Sequence, residues 1–494
     1  MAIRAIPGLS KVVTAPKRGR LHPVVVLTLI ALLPVMMLAG LRSLLPEEGV
    51  ATPADLTPPP SVEPYEIASR NVMSFRRTAP ELSGRLNHTQ LIKGLQTVTS
   101  QMAPTSCLAM SVDGVPLPLS EDKAVIPAST VKILVASAAI DVLGADYTFT
   151  TRVVGSAPVD GVVSGDIVLI GGGDPLLSGD WYPNSNLDRY PVFGHTSLDE
   201  LARSLAANGV TTIAGRVLGD GSRYDDEWFY DDWGPGIAGI EAGPIDALMA
   251  NDARIEGDDY RALDPVAGAS REFVQRLNAA GIEVRGGSGV GSPSTNAIEL
   301  ATVTSSPLTV VIAEMLQNSD NNTAEMLVKE IGLHSGGNGN RRDGLAAVHN
   351  SLRSQGVNLS DLQLVDGSGL SNLARVRCQT LVDTLTVADS SVIDGLAVAG
   401  VSGTLTSVFT EGPMTGALKA KTGTLGNLPY DRDPPAVKAL AGEYEARGGE
   451  TLSFALVLNQ SMVNDQANYR PIWDALASTM AQYPTGPTVN EMSP

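Results

Sequence analysis

The sequence of 494 residues predicts an α/β protein of the α+β kind, in which helices cover an antiparallel sheet and a second α/β region is inserted. Three strands are predicted in succession at 416–424, 437–444 and 451–458, with helical segments before and after them. That order favours an antiparallel sheet covered by helices. By contrast, 149–296 is rich in glycine and aspartate, has no lysine, and alternates strands with short helices. We therefore predict an inserted domain at 149–296.

Residues 1–45 are predicted to be a targeting segment, with a basic cytoplasmic tail followed by an uncharged apolar span at 24–41. Basic residues beside such a span stay in the cytoplasm, so the rest of the chain is expected to be exported. The span is near the lower limit for crossing a bilayer and long for a signal peptide. Because no clear Ala-x-Ala cleavage site follows directly, a retained anchor is favoured over a cleaved signal. The protein is then expected at the outer face of the cytoplasmic membrane or in the cell wall.

A proline-rich linker is predicted at 46–70, where acidic residues, threonine and three consecutive prolines favour an extended chain. The chain beyond residue 45 carries 29 basic and 53 acidic residues, a formal charge of about −24. This charge argues against nucleic acid as a partner and against binding to an anionic membrane surface. Good solubility is an equally simple consequence of the same charge.

A discontinuous domain is predicted at 71–148 and 297–483, with a C-terminal tail at 484–494. The two cysteines, Cys107 and Cys378, lie one in each part of this domain. An even number of cysteines in an oxidising compartment favours a disulfide. Two separate buried thiols are the alternative.

The local patterns also predict most of the individual elements. The first part of the discontinuous domain is expected to hold a helix at 91–103, a strand pair at 106–112 and 114–119, and an apolar helix at 129–143. The inserted domain is expected to hold strands at 162–170, 211–218 and 282–285 and helices at 197–208 and 270–280. Further helices are expected at 307–317, 322–331 and 468–482.

Ser129 and Lys132 form a Ser-x-x-Lys sequence at the start of the apolar helix and are the candidate nucleophile and general base. Residues three apart share a helix face, so Lys132 can reach the Ser129 hydroxyl. Burial would lower the pKa of this lysine and supply a neutral amine, which arginine cannot do. A second copy, Ser120 to Lys123, lies in a polar turn, where two adjacent acids would keep the lysine charged.

The sequence Ser319-Asp320-Asn321 lies between two predicted helices. Its Ser319 hydroxyl is a candidate proton relay, and its Asn321 amide could hold a substrate carbonyl and the nearby lysine. Taken alone, this sequence would more simply be a helix cap. Two other Ser-x-Asn sequences are set aside, since 69–71 precedes Ser129 and 294–296 lies in a loop rich in Gly, Ser and Pro.

The sequence Lys421-Thr422-Gly423-Thr424 lies on the predicted strand 416–424 and is the candidate substrate-binding segment. Lys421 and the two threonine hydroxyls would bind a carboxylate, and Gly423 would let a substrate backbone approach closely. The Thr424 N–H would complete an oxyanion hole. Taken alone, the segment would be a solvated edge strand protected by a lysine.

No metal site and no cofactor are predicted. None of the five histidines lies in these three motifs, so a Ser-His-Asp triad is not expected. The order of the three motifs along the chain resembles that of the serine-type D-alanyl-D-alanine carboxypeptidase/endopeptidase family, the low-molecular-mass class C penicillin-binding proteins. Ser129 and Ser319 are 190 residues apart, and this family carries an extra region between its first two motifs. Segments 165–175 and 366–371 are similar to further family segments, and the resemblance covers roughly 70–483.

The resemblance implies a penicillin-binding/β-lactamase-like transpeptidase domain that acts on peptidoglycan stem peptides through an acyl-enzyme on Ser129. The roles that it implies for the residues of the three motifs agree with those above. It also implies that β-lactam antibiotics are covalent inhibitors. One departure from the family is the lengthened turn at 426–435, beside the substrate cleft.

Two alternative functions stay open at this point. A β-lactam-hydrolysing or esterase relative would use the same acyl-enzyme but would need a carboxylate to activate water, and none stands out in the sequence. A catalytically inactive envelope-binding protein with the same fold would not need the three motifs, which are intact here.

Overall fold

The structure is a computed structural model that describes residues 80–119, 123–233, 236–426 and 435–486. The predicted targeting segment and linker, the serine and two acids at 120–122, most of the lengthened turn and most of the C-terminal tail lie outside these residues. Within the described part of the chain, no helix combines the length and the apolar character needed to cross a membrane.

The strands of the described residues are short in the inserted domain and long near the C-terminal end. In chain order they are β1 (Cys107–Val112), β2 (Val115–Pro116), β3 (Ala124–Val125), β4 (Thr150–Gly155), β5 (Val162–Val163), β6 (Ile167–Ile170), β7 (Leu177–Ser178), β8 (Thr196–Ser197), β9 (Thr212–Ile213), β10 (Val217–Asp220), β11 (Glu283–Val284), β12 (Ser288–Val290), β13 (Ile298–Thr304), β14 (Val376–Arg377), β15 (Ala397–Val398), β16 (Leu418–Leu425), β17 (Val437–Glu445) and β18 (Thr451–Asn459).

The described α-helices are α1 (Pro80–Thr99), α2 (Val131–Leu143), α3 (Leu198–Ala207), α4 (Pro265–Ala279), α5 (Leu308–Asn318), α6 (Asn321–His334), α7 (Arg341–Ser354), α8 (Cys378–Val387), α9 (Ser390–Asp394) and α10 (Gln466–Ala481). A 3₁₀ turn at Ala128–Thr130 leads directly into α2. Helix α1 begins well before its predicted start at 91. The prediction missed its first turns because they are mostly polar and Leu86 is exposed, so no apolar stripe marks them in the sequence.

The predicted antiparallel sheet is confirmed. It has six strands in the order β15-β16-β17-β18-β1-β2, and β16, β17 and β18 begin and end within a few residues of their predictions. Almost every residue of β18 is buried, since helices cover both faces of the sheet. One face packs against α2, α5, α6 and α8, and the other packs against α1 and α10.

Helix α2 lies inside the first of these two cores and is buried all round along most of its length, which explains its uniformly apolar sequence. The side chains are mainly Ala, Val, Ile and Leu. Its N-terminal end approaches β16 through the Ala128–Thr130 turn, so the helix core fixes the position of that turn against the sheet.

The predicted inserted domain leaves the rest of the chain at β4, which pairs antiparallel with β13, a strand that lies just beyond the predicted end at 296. These belong to a five-stranded sheet in the order β12-β10-β6-β4-β13, beside a three-stranded parallel sheet in the order β11-β9-β5. The predicted strands 162–170 and 211–218 are each broken in two, because each moves from the smaller sheet to the larger one. At the break, the Asp166 carboxylate accepts a hydrogen bond from the Arg216 N–H at 2.7 Å.

Cys107 and Cys378 are joined in a disulfide with a Cα–Cα distance of 5.9 Å, which is the first of the two alternatives considered for them. The bond links β1 to the first residue of α8 across 271 residues of chain. It therefore fastens together the two parts of the discontinuous domain.

Candidate active site

The three motifs meet in one cleft with a volume of about 510 Å³. Ser129 comes from the turn before α2, Ser319 and Asn321 come from the junction of α5 and α6, and Thr422 comes from β16. Ser129 is 9% exposed and lines the cleft.

Lys132 is fully buried one helical turn after Ser129, and its Nζ lies 3.0 Å from the Ser129 Oγ. Burial lowers the pKa of this lysine to about 8, against the opposing influence of the buried acids Glu325, Asp320 and Asp366. About a tenth of Lys132 is therefore a neutral amine at pH 7, far more than for an ordinary lysine.

The Lys132 Nζ is held at three points. Besides Ser129, it donates to the Asn321 Oδ1 at 2.7 Å and to the Ser368 carbonyl at 2.8 Å. The Asn321 amide is oriented because its Nδ2 donates to the Glu241 carbonyl at 2.8 Å. A neutral amine has two N–H groups, and these two acceptors use both. Its lone pair then faces the Ser129 hydroxyl, which is the geometry that a general base requires.

Ser319 ends α5 in the left-handed conformation, with φ 66° and ψ 35°. This conformation turns the chain sharply into α6, where the Asp320 carboxylate caps the Thr323 N–H at 2.7 Å. Asp320 is therefore the helix cap that the sequence allowed, and the Ser319 hydroxyl, the candidate proton relay, accepts a hydrogen bond from Lys421 at 2.8 Å.

Lys421 is fully buried and faces the Ser319 side of β16, where its Nζ also donates to the Thr422 carbonyl at 2.8 Å. Burial lowers its pKa well below the usual range, and the positive charges of Lys132 and Lys438 act in the same direction. The Thr422 side chain lies on the opposite face of the strand and lines the cleft.

Gly423 leaves room for the turn that carries the nucleophile. A Cβ at this position would lie 3.1 Å from the Pro127 carbonyl oxygen and 3.3 Å from the Ala128 Cβ. The sequence predicts room for a substrate backbone here, but the space is taken by the chain just before Ser129. Gly423 thus sets how closely β16 approaches the nucleophile.

One edge of β16 is open along the motif. Strand β15 pairs with it only at Lys419 and Ala420, so from Lys421 to Leu425 this edge has no strand partner among the described residues. Free backbone N–H and C=O groups on such an edge can pair with an extended peptide.

A loop that the motifs do not include aims the Ser368 carbonyl at Lys132. The buried Glu325 carboxylate accepts hydrogen bonds from the Gly367 N–H at 2.9 Å and from the Ser368 N–H at 2.7 Å. The buried Asp366 carboxylate accepts from the Gly369 N–H at 2.9 Å and from two further groups, the Ser371 N–H and the Trp233 indole. In the sequence, the similarity of 366–371 to a family segment was the feature that pointed to this loop.

The other sequence candidates lie away from this cleft or outside the described residues. Residues 294–296 lie in the loop between β12 and β13 and do not line the cleft. None of the four described histidines lines it either. One residue that motif reasoning missed does line it, namely Lys438 on β17.

The fold is shared with a solved penicillin-binding protein. The structure of penicillin-binding protein 4 from Haemophilus influenzae matches 79% of this chain and 99% of its own, with a TM-score of 0.63 and 19% identity. The family model described as the D-Ala-D-Ala carboxypeptidase 3 (S13) family matches residues 117–262 and 249–483. The chain belongs to this family and is, by that membership, a serine-type D-Ala-D-Ala carboxypeptidase.

Two relatives extend over most of the chain. A carboxypeptidase of Mycobacterium tuberculosis is 30% identical over 384 residues, which are 73% of this chain and 76% of that protein. A D-alanyl-D-alanine carboxypeptidase of Actinomadura sp. is 29% identical over 445 residues, 72% of this chain and 77% of that protein. The predicted family, fold class and enzyme class are confirmed.

Proposed function

We propose that the protein is an exported enzyme that trims peptidoglycan stem peptides through an acyl-enzyme on Ser129. It would release terminal D-alanine, cleave D-amino-acid cross-links, or do both. The observation that carries this proposal is the three-point fixing of the Lys132 amine, which aims its lone pair at the Ser129 hydroxyl.

In the acylation step, Lys132 takes the Ser129 proton while the serine Oγ bonds to the substrate carbonyl carbon. The carbonyl oxygen becomes an oxyanion, for which the N–H groups of Ser129 and Thr424 are the expected donors. The C–N bond then breaks, the acyl group stays on Ser129, and the leaving amine takes up a proton. Water later attacks the ester, which releases the acid and restores the serine.

Ser319 is the group expected to pass a proton to the leaving amine, because its hydroxyl contacts the Lys421 ammonium or amine directly. The open edge of β16 would pair with the peptide backbone, and the Thr422 and Thr424 hydroxyls would bind its terminal carboxylate. A bound carboxylate would favour the charged form of Lys421, which burial alone disfavours.

The substrate class rests on relatives. The Actinomadura protein is named as a D-alanyl-D-alanine carboxypeptidase, and the H. influenzae protein has been solved with a β-lactam. A structure with a TM-score of 0.51 is a peptidoglycan endopeptidase of Bdellovibrio bacteriovorus. From these names we infer that this chain acts on stem peptides and that β-lactams are its covalent inhibitors. The proposed location, outside the cytoplasmic membrane and anchored to it, rests on the basic tail and the span at 24–41.

The test is fluorescent-penicillin labelling of the purified full-length chain, with Ser129→Ala beside Ser120→Ala as the matched control. We expect stable label on the wild type and on Ser120→Ala, and none on Ser129→Ala. Rapid loss of label would favour the β-lactam-hydrolysing alternative. A folded wild type that takes no label would contradict the proposal and favour the inactive envelope-binding alternative.

A further inference from the structure

The cleft has a basic end that none of the three motifs includes. Lys438 lies directly opposite Thr424 in the β16–β17 ladder, so both side chains are on the α10 face of the sheet. Its Nζ donates to the Thr424 Oγ1 at 2.9 Å. The ammonium is therefore in contact with the hydroxyl that is expected to bind a substrate carboxylate.

Aromatic rings form the floor beneath this lysine. Its Nζ lies 4.5 Å from the centre of the Tyr469 ring and 5.6 Å from that of Trp473, both on α10. The faces of aromatic rings attract cations, so the side chain is held in place without a carboxylate. Its stem is partly buried and its charged end points into the cleft.

Two arginines line the same end of the cleft, Arg189 from the inserted domain and Arg470 from α10. Burial lowers the pKa of Lys438 to about 8, and the positive charges of Arg189 and Arg470 add to this effect. Among the described residues, no carboxylate forms an ion pair with Lys438 or Arg189, and the contact of Arg470 with Asp474 is long, at 4.0 Å.

Three cations thus line the cleft, with both arginines close enough to influence Lys438, in a protein whose formal net charge is −18. Mutual repulsion makes this arrangement unfavourable until an anion enters. Lys421 cannot take that role alone, because its Nζ is buried and already bonded to Ser319 and to the Thr422 carbonyl. Lys438 is the lysine that contacts the Thr424 hydroxyl at the cleft surface.

We propose that Lys438, Arg189 and Arg470 form an anion-binding pocket for the carboxylates of the leaving group. The inference rests on the proposed function, because it concerns the leaving group of the same cleavage reaction. A released D-alanine carries a single carboxylate, which Thr422, Thr424 and Lys438 suffice to bind. Arg189 and Arg470 are then left to bind a second carboxylate, which a larger leaving group would carry. A peptide released from a cross-link is such a group.

The test compares two substrates on the full-length chain: a linear peptide that ends in D-Ala-D-Ala and a cross-linked peptide dimer. The quantity measured is the ratio of kcat/KM for the dimer to kcat/KM for the linear peptide. Lys438→Met keeps an unbranched stem against the rings and removes the charge. We expect Lys438→Met to lower kcat/KM on both substrates, because Lys438 contacts the hydroxyl that is expected to bind the carboxylate common to both. Arg470→Gln should lower the ratio about threefold or more, as the loss of a charge-assisted hydrogen bond predicts.

The matched control is Lys419→Met on β16, where the lysine pairs with Asp394 at 2.6 Å and does not line the cleft. It should keep both rates of the wild type. An unchanged ratio in Arg470→Gln, or a wild type that cleaves the linear peptide but not the dimer, would overturn the pocket and leave the proposed function standing. A wild type that takes no penicillin label and cleaves neither peptide would overturn both.

Discussion

At the scale of single residues, the Lys132 amine acts as a base only when it is neutral, and burial lowers its pKa to about 8. The neutral fraction grows as pH rises through that value. We therefore expect the rate of acylation by a β-lactam to rise through a midpoint near 8 and then level off. Stopped-flow measurements from neutral to alkaline pH would show this, and a flat profile would contradict a lysine base.

Lys132→Arg keeps a positive charge but cannot become neutral in a protein. We expect its acylation rate to fall at least about a hundredfold, the lower end of what a general base contributes. Circular dichroism of the variant would establish that the fold is retained, so that the loss can be assigned to the base.

Glu325 is a positioning residue whose charge also bears on Lys132. Burial raises the pKa of this carboxyl to about 7, helped by Asp366. Above that pH its negative charge favours the protonated form of Lys132. Glu325→Gln should therefore move the acylation midpoint downwards by about one pH unit, in addition to loosening the loop at 367–368.

The matched control for this prediction is Glu330→Gln on the same helix. Glu330 is equally buried but bonds to Tyr147 and Tyr224, not to the loop beside Lys132. We expect the control to lose stability and to keep the midpoint of the wild type. If Glu325→Gln only lowered the rate at an unchanged midpoint, its charge would have no part in setting the basicity of Lys132.

At the scale of elements, the loop 366–371 meets the nucleophile turn through a glycine. Gly369 has φ +81°, and a Cβ there would lie 2.0 Å from the Ala128 carbonyl oxygen. Gly356 has a similar φ of +85° with open space around it. Alanine variants at the two positions can therefore separate the free-energy cost of a left-handed backbone from that of displacing the Ser129 turn.

Gly356→Ala should lose about 1 kcal/mol of unfolding free energy, with acylation unaffected. Gly369→Ala should lose more, about 3 kcal/mol, and should also slow acylation because Ser129 moves relative to Lys132. Chemical denaturation and penicillin labelling would measure the two effects. Equal losses of stability in the two variants, with normal labelling of both, would show that the contact with Ala128 is not needed.

Elements with a strong local pattern were predictable, such as the apolar helix α2 and the strands β16 to β18. The breaks between β5 and β6 and between β9 and β10 were not, because the Asp166–Arg216 contact joins residues 50 positions apart. Lys438 was missed for a similar reason. A short turn would have fixed which residue faces Thr424, but the turn at 426–435 is long and leaves the register open.

In the active site, too, local sequence patterns predicted some contacts and missed others. The spacing of Ser129 and Lys132 along one helix predicted their contact, since helix geometry alone brings them together. The Ser368 carbonyl, which completes the environment of Lys132, comes from a loop 236 residues further along the chain. Only tertiary packing brings it there, held by two buried carboxylates whose role no local pattern indicated.

At the scale of the whole molecule, the Cys107–Cys378 bond closes a loop of 271 residues. Replacing both cysteines by alanine should lower the free energy of unfolding by about 3–5 kcal/mol, because the unfolded chain is then less restrained. Penicillin labelling at low temperature should persist, since neither cysteine lines the cleft. Thermal unfolding with and without reductant is the measurement. Reductant should bring the wild type to the Tm of the variant and leave the variant unchanged.

The pairing of β1 with β18 has a consequence for the order in which the protein becomes functional. The strands from β4 to β13 form one continuous stretch of chain, and their three sheets use no other strand. These strands can pair before the rest of the chain has been made, although the core around Tyr224 and Trp233 also needs Met326 and Leu370. The central sheet closes only after residue 459 has been made, although the nucleophile is synthesised early. A nascent or truncated chain that stops before β18 therefore has the serine but no working hydrolase.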